Sequence, residues 1–204
     1  MFIKQAHALA YYYREMMLPY VERVEVAGSI RRGCQDVKDI ELVAIPRFEK
    51  TAFDGSLLFD DAHEEISNLL HMWATCDPSH HIRWIKPGTH EIIDWQPKPD
   101  GKYWRALLKE NIKLDLFLAR PDNFGLIYAI RTGSKDFTAA LVTHARDIGM
   151  PSRDGYLRNG EAKIITREEQ DVFDVLHLQY IPPAERTGFH SLKLKPAMAE
   201  AAVL

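Results

Sequence analysis

Phe2, Ala6, Leu9, Tyr13, Met16 and Tyr20 recur at spacings of three and four, which predicts an amphipathic first helix that stops at Pro19. The pattern then changes to short apolar runs. Val24–Ala27 and Ile40–Ile45 read as strands, and Ile112–Leu118 reads as a buried strand. Between them, Asp60–Cys76 carries a helical stripe through Ile66, Leu69, Leu70 and Trp73, and His80–Lys86 reads as a strand. Trp95–Gly101 is a turn-rich link, followed by a short amphipathic segment from Lys102 to Arg105. Asp122–Ile130 is expected to be a short helix, and Lys135–Gly149 a longer one with Phe137, Leu141, Ala145 and Ile148 inward and Gly149 as its stop. Arg153–Leu157 and Ala162–Ile165 form a predicted hairpin around Asn159–Gly160. Thr166–Glu169 reads as a capping box opening a last helix through Phe173 and Leu176, with Pro182–Pro183 ending the structured part. From Thr187 onward an extended segment is expected.

Three carboxylates interrupt this pattern where apolar residues belong. Asp39 and Glu41 are two residues apart at the start of a strand, so the period of two points both to one side. A D-x-E pair at a sheet edge is commonly a solvated face. Here Glu41 shares its side with Val43 and Ile45, and a carboxylate among buried neighbours has to be paired, protonated or bound to a cation. Asp115 stands in the same position within its own apolar run. Convergent carboxylates are a hard-oxygen site of the type that takes Mg²⁺ together with substrate phosphates. Just upstream, Gly28–Ser29 offers close backbone approach and a hydroxyl donor to a phosphate oxygen, with Arg31 and Arg32 following.

The chain has 204 residues, 46% of them apolar, enough for one domain or a domain with a small appendage. A net charge of −3 means that any grip on nucleic acid rests on a local basic surface or is weak. Two cysteines, Cys34 and Cys76, provide neither a disulfide framework nor a metal-ligand spacing, which fits a reducing cytoplasm. No apolar run reaches membrane-span length and no signal-peptide core is present, so a cytoplasmic monomer without membrane contact is expected. His80, His81 and His90 suggest zinc, but neighbours on a strand face opposite ways and nothing completes a tetrahedral set, so they read as solvated.

The pattern G-S-x-R-R-G at Gly28–Gly33, followed by D-I-E at Asp39–Glu41, resembles the palm signature of the family X (polymerase beta-like) DNA polymerases. The form ending in D-I-E resembles small stand-alone phage- or bacterial-type members. The resemblance resumes at Ile112–Phe117, at Arg131–Phe137 and at Leu178–Pro183, while the stretch from about Phe48 to Tyr103 matches nothing. It implies an α+β fold. A nucleotidyltransferase palm, a mixed sheet with flanking helices, would occupy 1–131, a small α+β thumb-like subdomain 132–190, and a tail 191–204. The DNA-binding and lyase domain and most of the fingers of longer relatives are not expected within these residues.

The resemblance also implies metal-dependent nucleotidyl transfer from a nucleoside triphosphate to a 3′-hydroxyl, on primed or gapped DNA, with Asp39, Glu41 and Asp115 as catalytic metal ligands. Two Mg²⁺ ions about 3.5–4 Å apart, or Mn²⁺ in their place, would sit among them. Such transfer depends on position and charge, so Ser29 and Arg32 are assigned to the triphosphate and Gly28 to its close approach. Lys38 is assigned a further backbone contact to phosphate, and Thr132, Gly133 and Ser134 the nucleotide. Arg31 reads as structural, paired with a carboxylate such as Asp36. A cis peptide is implied between Gly133 and Ser134. Relatives carry an aromatic pair before T-G-S that crowds a 2′-hydroxyl, and here the pair is Ile130–Arg131, which predicts weak sugar discrimination. Where relatives contact nucleotide and template through an asparagine and an arginine, Thr138 and Val142 stand, which predicts low fidelity. The alternatives are transfer to an RNA, protein or small-molecule acceptor, and an inactive binding module that keeps the palm shape.

Overall fold

The computed structural model describes residues 1–47, 83–85, 91–93 and 102–196. The helix expected at 60–76, the histidines at 80, 81 and 90 and the link at 95–101 lie outside the described residues. The chain divides into two compact units, one of Met1–Val26 with Asp36–Ala119 and one of Ala27–Gln35 with Arg120–Leu204. Among the described residues no helix is long and apolar enough to cross a membrane.

The first unit is a mixed sheet backed by helix α1 (Ile3–Met17). Its strands are β1 (Val21–Val26), β2 (Asp39–Pro46), β3 (Arg83–Ile85), β4 (Ile92–Ile93), β5 (Tyr103–Leu107) and β6 (Lys113–Leu118). Their order is β1-β2-β6-β5-β3-β4, with β2 and β6 parallel and the other neighbours antiparallel. The period of two gives this sheet two unlike faces. Val24, Val26, Ile40, Leu42, Ala44, Trp104, Ala106, Leu114 and Leu116 share one face, and all are buried. Helix α1 packs on β1 and β2, burying Ala6, Ala10, Tyr13 and Met17. That stripe is turned from the expected one. Phe2 is 79% exposed and precedes the first helical turn, so the repeat it was counted into starts outside the helix. Of the consecutive Tyr11, Tyr12 and Tyr13 only Tyr13 is in the core, and burial, with the charge of Glu110, raises its hydroxyl to about 12. The opposite face of the sheet carries Asp39, Glu41, Arg105 and Asp115.

The segment 102–105, read as amphipathic, belongs to strand β5. The alternation of half-buried Tyr103, Arg105 and Leu107 with buried Trp104 and Ala106 is the strand period that four residues were too short to reveal.

The second unit packs α3 (Phe124–Thr132), α4 (Lys135–Asp147) and α5 (Glu169–Val175) with a small sheet. That sheet is β7 (Ser152–Arg153), β8 (Tyr156–Asn159) and β9 (Ala162–Ile164), and a single helical turn, α2 (Gly28–Arg31), also belongs to this unit. Its core gathers Leu126, Phe137, Leu141, Leu157, Phe173, Leu176 and Ile181. Asp154 and Gly155, with φ of 54° and 81°, close a two-residue hairpin of the kind that needs positive φ at both positions. Helix α4 stops where expected, Gly149 taking φ 81°. The capping box of α5 is Glu168 with Asp171 and not Thr166 with Glu169. The chain does not end its structure at Pro183. Arg186 is buried, Ser191 hydrogen-bonds Thr187 and Gly188, Leu192 packs on the core, and Leu194 bridges to Leu178.

Candidate functional site

In the first unit the parallel register of β2 and β6 sets Glu41 opposite Asp115. Residues in register on neighbouring strands, about 4.8 Å apart, point to the same face, and Asp39 joins them two residues before Glu41. The sheet thus brings the three predicted carboxylates to one face. Asp39 and Glu41 are half-buried and Asp115 is buried. The antiparallel register of β5 and β6 sets Arg105 opposite Asp115 on the other side, giving a row Glu41, Asp115, Arg105 across three strands. Arg105 Nε donates to Asp115 Oδ1 and Nη2 to Oδ2, both at 2.6 Å, and the Tyr103 hydroxyl donates to Oδ1 at 3.0 Å. The Asp115 hydrogen bond, ahead of the charge of Asp115 and then Asp39, holds the Arg105 guanidinium above its ordinary range.

The donor chemistry fits hard divalent cations, since carboxylate oxygens are what Mg²⁺ and Mn²⁺ take. The orientation of Asp115 is set by Arg105, and among the described residues no three acidic, histidine or cysteine side chains converge on one ion position. Lys38 is exposed and lines an open cavity of about 460 Å³ with Met1, Asp36 and Glu110.

In the second unit two stretches a hundred positions apart are joined. Gly28 turns the chain with φ 61°, a conformation that suits glycine, and the turn α2 follows. Arg31 Nη1 donates to the Thr132 hydroxyl at 2.6 Å, and Arg32 Nη1 donates to the Thr132 carbonyl. The Ser29 hydroxyl is buried with no hydrogen-bond partner. Ser134 caps α4, its Oγ accepting from the Phe137 N–H at 3.2 Å. The Thr138 hydroxyl donates to the Ile130 carbonyl at 2.9 Å. The cis peptide implied at Gly133–Ser134 is not found. The bond is trans, and Gly133 makes the turn with φ 39°.

The partner of Arg31 is not Asp36, which faces the N-terminal ammonium at 3.6 Å. It is Glu169, which accepts two bonds from Arg31 at 2.8 Å each and one from Arg186 at 2.7 Å. The Tyr180 hydroxyl donates to it at 3.0 Å. Burial pushes the Glu169 carboxyl up, but the hydrogen bonds from Arg31 and Arg186 outweigh this and bring it down to about 2. Arg31 also lies 3.8 Å from the Tyr128 ring centroid.

Residues 127–187 match the family model described as DNA polymerase beta thumb. The chain is similar to a crystal structure of Leishmania infantum polymerase beta in a ternary P/T complex. The TM-score is 0.63 at 18% identity, over 92% of this chain and 76% of that one. The fold is that of polymerase beta, with the thumb match falling at residues 127–187. Comparison with curated protein sequences gives no match. The α+β expectation of a mixed sheet followed by a thumb-like part holds.

Three residues of this frame are not apparent from the sequence. Glu169 sits among Glu168, Asp171 and Asp174 and looks like one more helix-start acid. Arg186 follows a Pro-Pro pair that signals an end to packing. Arg105 was one basic residue in an aromatic segment. A strand reading extended to Leu107 would have put Arg105 on the polar side, although not beside Asp115.

Proposed function

We propose that the protein is a metal-dependent nucleotidyltransferase that extends a 3′-hydroxyl from a nucleoside triphosphate, acting as a minimal family X-like DNA polymerase of repair or gap-filling type. What carries this reading is the parallel register that sets Glu41 opposite Asp115 with Asp39 on the same face. The polymerase beta thumb match and the likeness to a polymerase solved in a ternary P/T complex support nucleotide and DNA as partners.

In this reading Asp39, Glu41 and Asp115 hold two Mg²⁺ ions, with Mn²⁺ as a substitute. When bound, such ions neutralise phosphate charge and lower the pKa of an attacking hydroxyl. The chain's own part is orientation. Gly28 admits the polyphosphate to the backbone, the Ser29 hydroxyl donates to a phosphate oxygen, and Arg32 adds a fixed positive charge. Arg32 is pre-set for that role by its bond to the Thr132 carbonyl, which employs one of its five N–H donors. Thr132, Gly133 and Ser134 border the nucleotide, and Lys38 adds a backbone contact. The palm role falls to residues 1–131 and the thumb role to 132–190.

A second reading, a binding module without turnover, draws on Arg105 engaging both Asp115 oxygens. One experiment separates the two. Labelled nucleotide incorporation with Mg²⁺ or Mn²⁺ is measured on single-stranded, primed and gapped DNA, for the native chain and for Asp39→Ala and Asp115→Ala. Templated extension by the native chain, abolished in both variants, supports the polymerase. Extension of single strands points to terminal or other acceptor transfer, and nucleotide or DNA binding without incorporation to the module.

A further inference from the structure

The Arg105–Asp115 pair is built as a two-point clamp. The guanidinium lies side-on to the carboxylate, with Nε and Nη2 each 2.6 Å from a different oxygen. This geometry uses the lone pairs that face the neighbouring strand, and it is the strongest arrangement a carboxylate and a protein cation form. The clamp follows from the register, because Arg105 and Asp115 are directly opposed on antiparallel strands and need no backbone movement to meet. Burial differs between the partners. The Asp115 side chain is 4% exposed, whereas that of Arg105 is 26% exposed and is attached through a flexible stem.

We propose that Arg105 is a built-in competitor for the divalent cation at Asp115 and so sets the ion concentration at which the carboxylate face fills. The inference rests on the reading of Asp39, Glu41 and Asp115 as metal ligands. A guanidinium and a divalent ion want the same carboxylate oxygens, and as like charges they oppose each other at the distance of one carboxylate. For Asp115 to ligate an ion through an oxygen now held by Arg105, that N–H···O bond has to open. Arg105 is the partner able to move, being the more exposed and the more flexible. Tyr103, whose hydroxyl also donates to Oδ1, keeps Asp115 oriented when the arginine withdraws. Both bonds that hold Arg105 in place go to Asp115. Arg105 is a positioning residue here. It is assigned no contact with substrate.

The test is Mn²⁺ binding to the full chain, read as loss of the free-ion electron paramagnetic resonance signal, for the native protein, Arg105→Gln, Arg105→Lys, Asp39→Asn and Asp115→Asn. Far-ultraviolet circular dichroism checks that each variant is folded. Arg105→Gln, which removes the charge, is expected to bind Mn²⁺ about tenfold more tightly than the native chain, the loss of one charge-assisted two-point contact. Arg105→Lys keeps a charge without the fork and is expected to fall between the two. The gain from Arg105→Gln is expected to vanish when Asp115→Asn is also present. Equal or weaker Mn²⁺ binding in Arg105→Gln overturns the proposal, and if that variant does not fold, equal or weaker binding in Arg105→Lys does so. Mn²⁺ binding unchanged by both Asp39→Asn and Asp115→Asn is a different failure, since it removes the metal site and the competition with it.

Discussion

Arg31 and Glu169 are 138 positions apart and meet in a two-point ion pair, both bonds 2.8 Å long. Arg31 lies beside Ser29 and Arg32 and also donates to Thr132, so Glu169 fixes the arginine that ties the early loop to the helix α3 terminus. Glu169 is 7% exposed in its side chain and Arg186, its second partner, is fully buried. Removing the shared carboxylate leaves two guanidiniums uncompensated.

Glu169→Gln is therefore expected to lower stability by about 3 kcal/mol at neutral pH, the size expected when one member of a buried charge pair is lost. The pH dependence has a definite sign. The folded-state pKa, about 2, lies below the ordinary 4.5, so the contribution is complete above about pH 4.5 and is lost as pH falls towards 2. Urea unfolding between pH 7 and 2 checks this. The native chain should weaken steeply across the acid window, and the Gln variant should lack that part of the slope. Equal slopes in the two proteins would refute the assignment.

Much of the carboxylate face was legible in the sequence, because a strand's period of two is a local property. Asp39 and Glu41 were placed on one side from their spacing alone, and Asp115 stood out as a charge in an apolar run. Strand neighbours are not local. Nothing in Tyr103–Leu107 says that it pairs with Lys113–Leu118, so Arg105 could not be matched to Asp115 before the register was seen. Glu169 was hidden for a related reason. Its burial comes from Arg31 and Arg186, and the local pattern around it is that of a solvated helix start. The trans bond after Gly133 shows the other limit. The cis peptide implied by resemblance is absent, and Gly133 instead takes a positive φ of 39°, which glycine permits.

Gly125 supplies a stability prediction that runs against helix propensity. Gly125 lies in the first turn of α3, and inside a helix Ala is favoured over Gly by up to about 1 kcal/mol. At Gly125 a β-carbon would lie 2.1 Å from the Glu168 carbonyl oxygen, and the backbone N–H donates to the Thr166 carbonyl at 2.8 Å. The clash is with backbone, which cannot swing aside as a side-chain end does. Gly125→Ala is expected to destabilise by about 2–3 kcal/mol, the range for overpacking. Gly149, with φ 81° and open space around it, is the contrast, and its alanine variant should lose only about 1 kcal/mol. Thermal melts of the two variants decide the order.

Ser29→Ala separates function from stability. The Ser29 hydroxyl is buried without a partner, an arrangement that weakens the fold. Removing it is expected to leave stability equal or raise it by up to about 1 kcal/mol, while raising KM for the nucleoside triphosphate about tenfold. A thermal melt alongside steady-state incorporation reads both. Lower stability with unchanged KM would mean that the hydroxyl serves the fold and not a phosphate.

Sugar selection gives the last prediction. The residues before Thr132 are half-buried Ile130 and exposed Arg131, and the Ile130 carbonyl is pinned by the Thr138 hydroxyl at 2.9 Å. An aliphatic side chain has no planar ring to set against C2′, so in the proposed reaction the rejection of a ribose is expected to be weak or left to backbone alone. A site that merely fails to accommodate an added hydroxyl discriminates by about a hundredfold at most. The ratio of kcat/KM for matched deoxy- and ribonucleotides is accordingly expected to stay below about a hundredfold. Ile130→Tyr should raise the ratio by restoring a ring, chiefly through slower ribonucleotide incorporation. A native preference for deoxynucleotides above about a thousandfold would show that the pinned carbonyl is itself an effective barrier. In that case Thr138→Val, which removes the pin while keeping the shape of the side chain, should relax the preference.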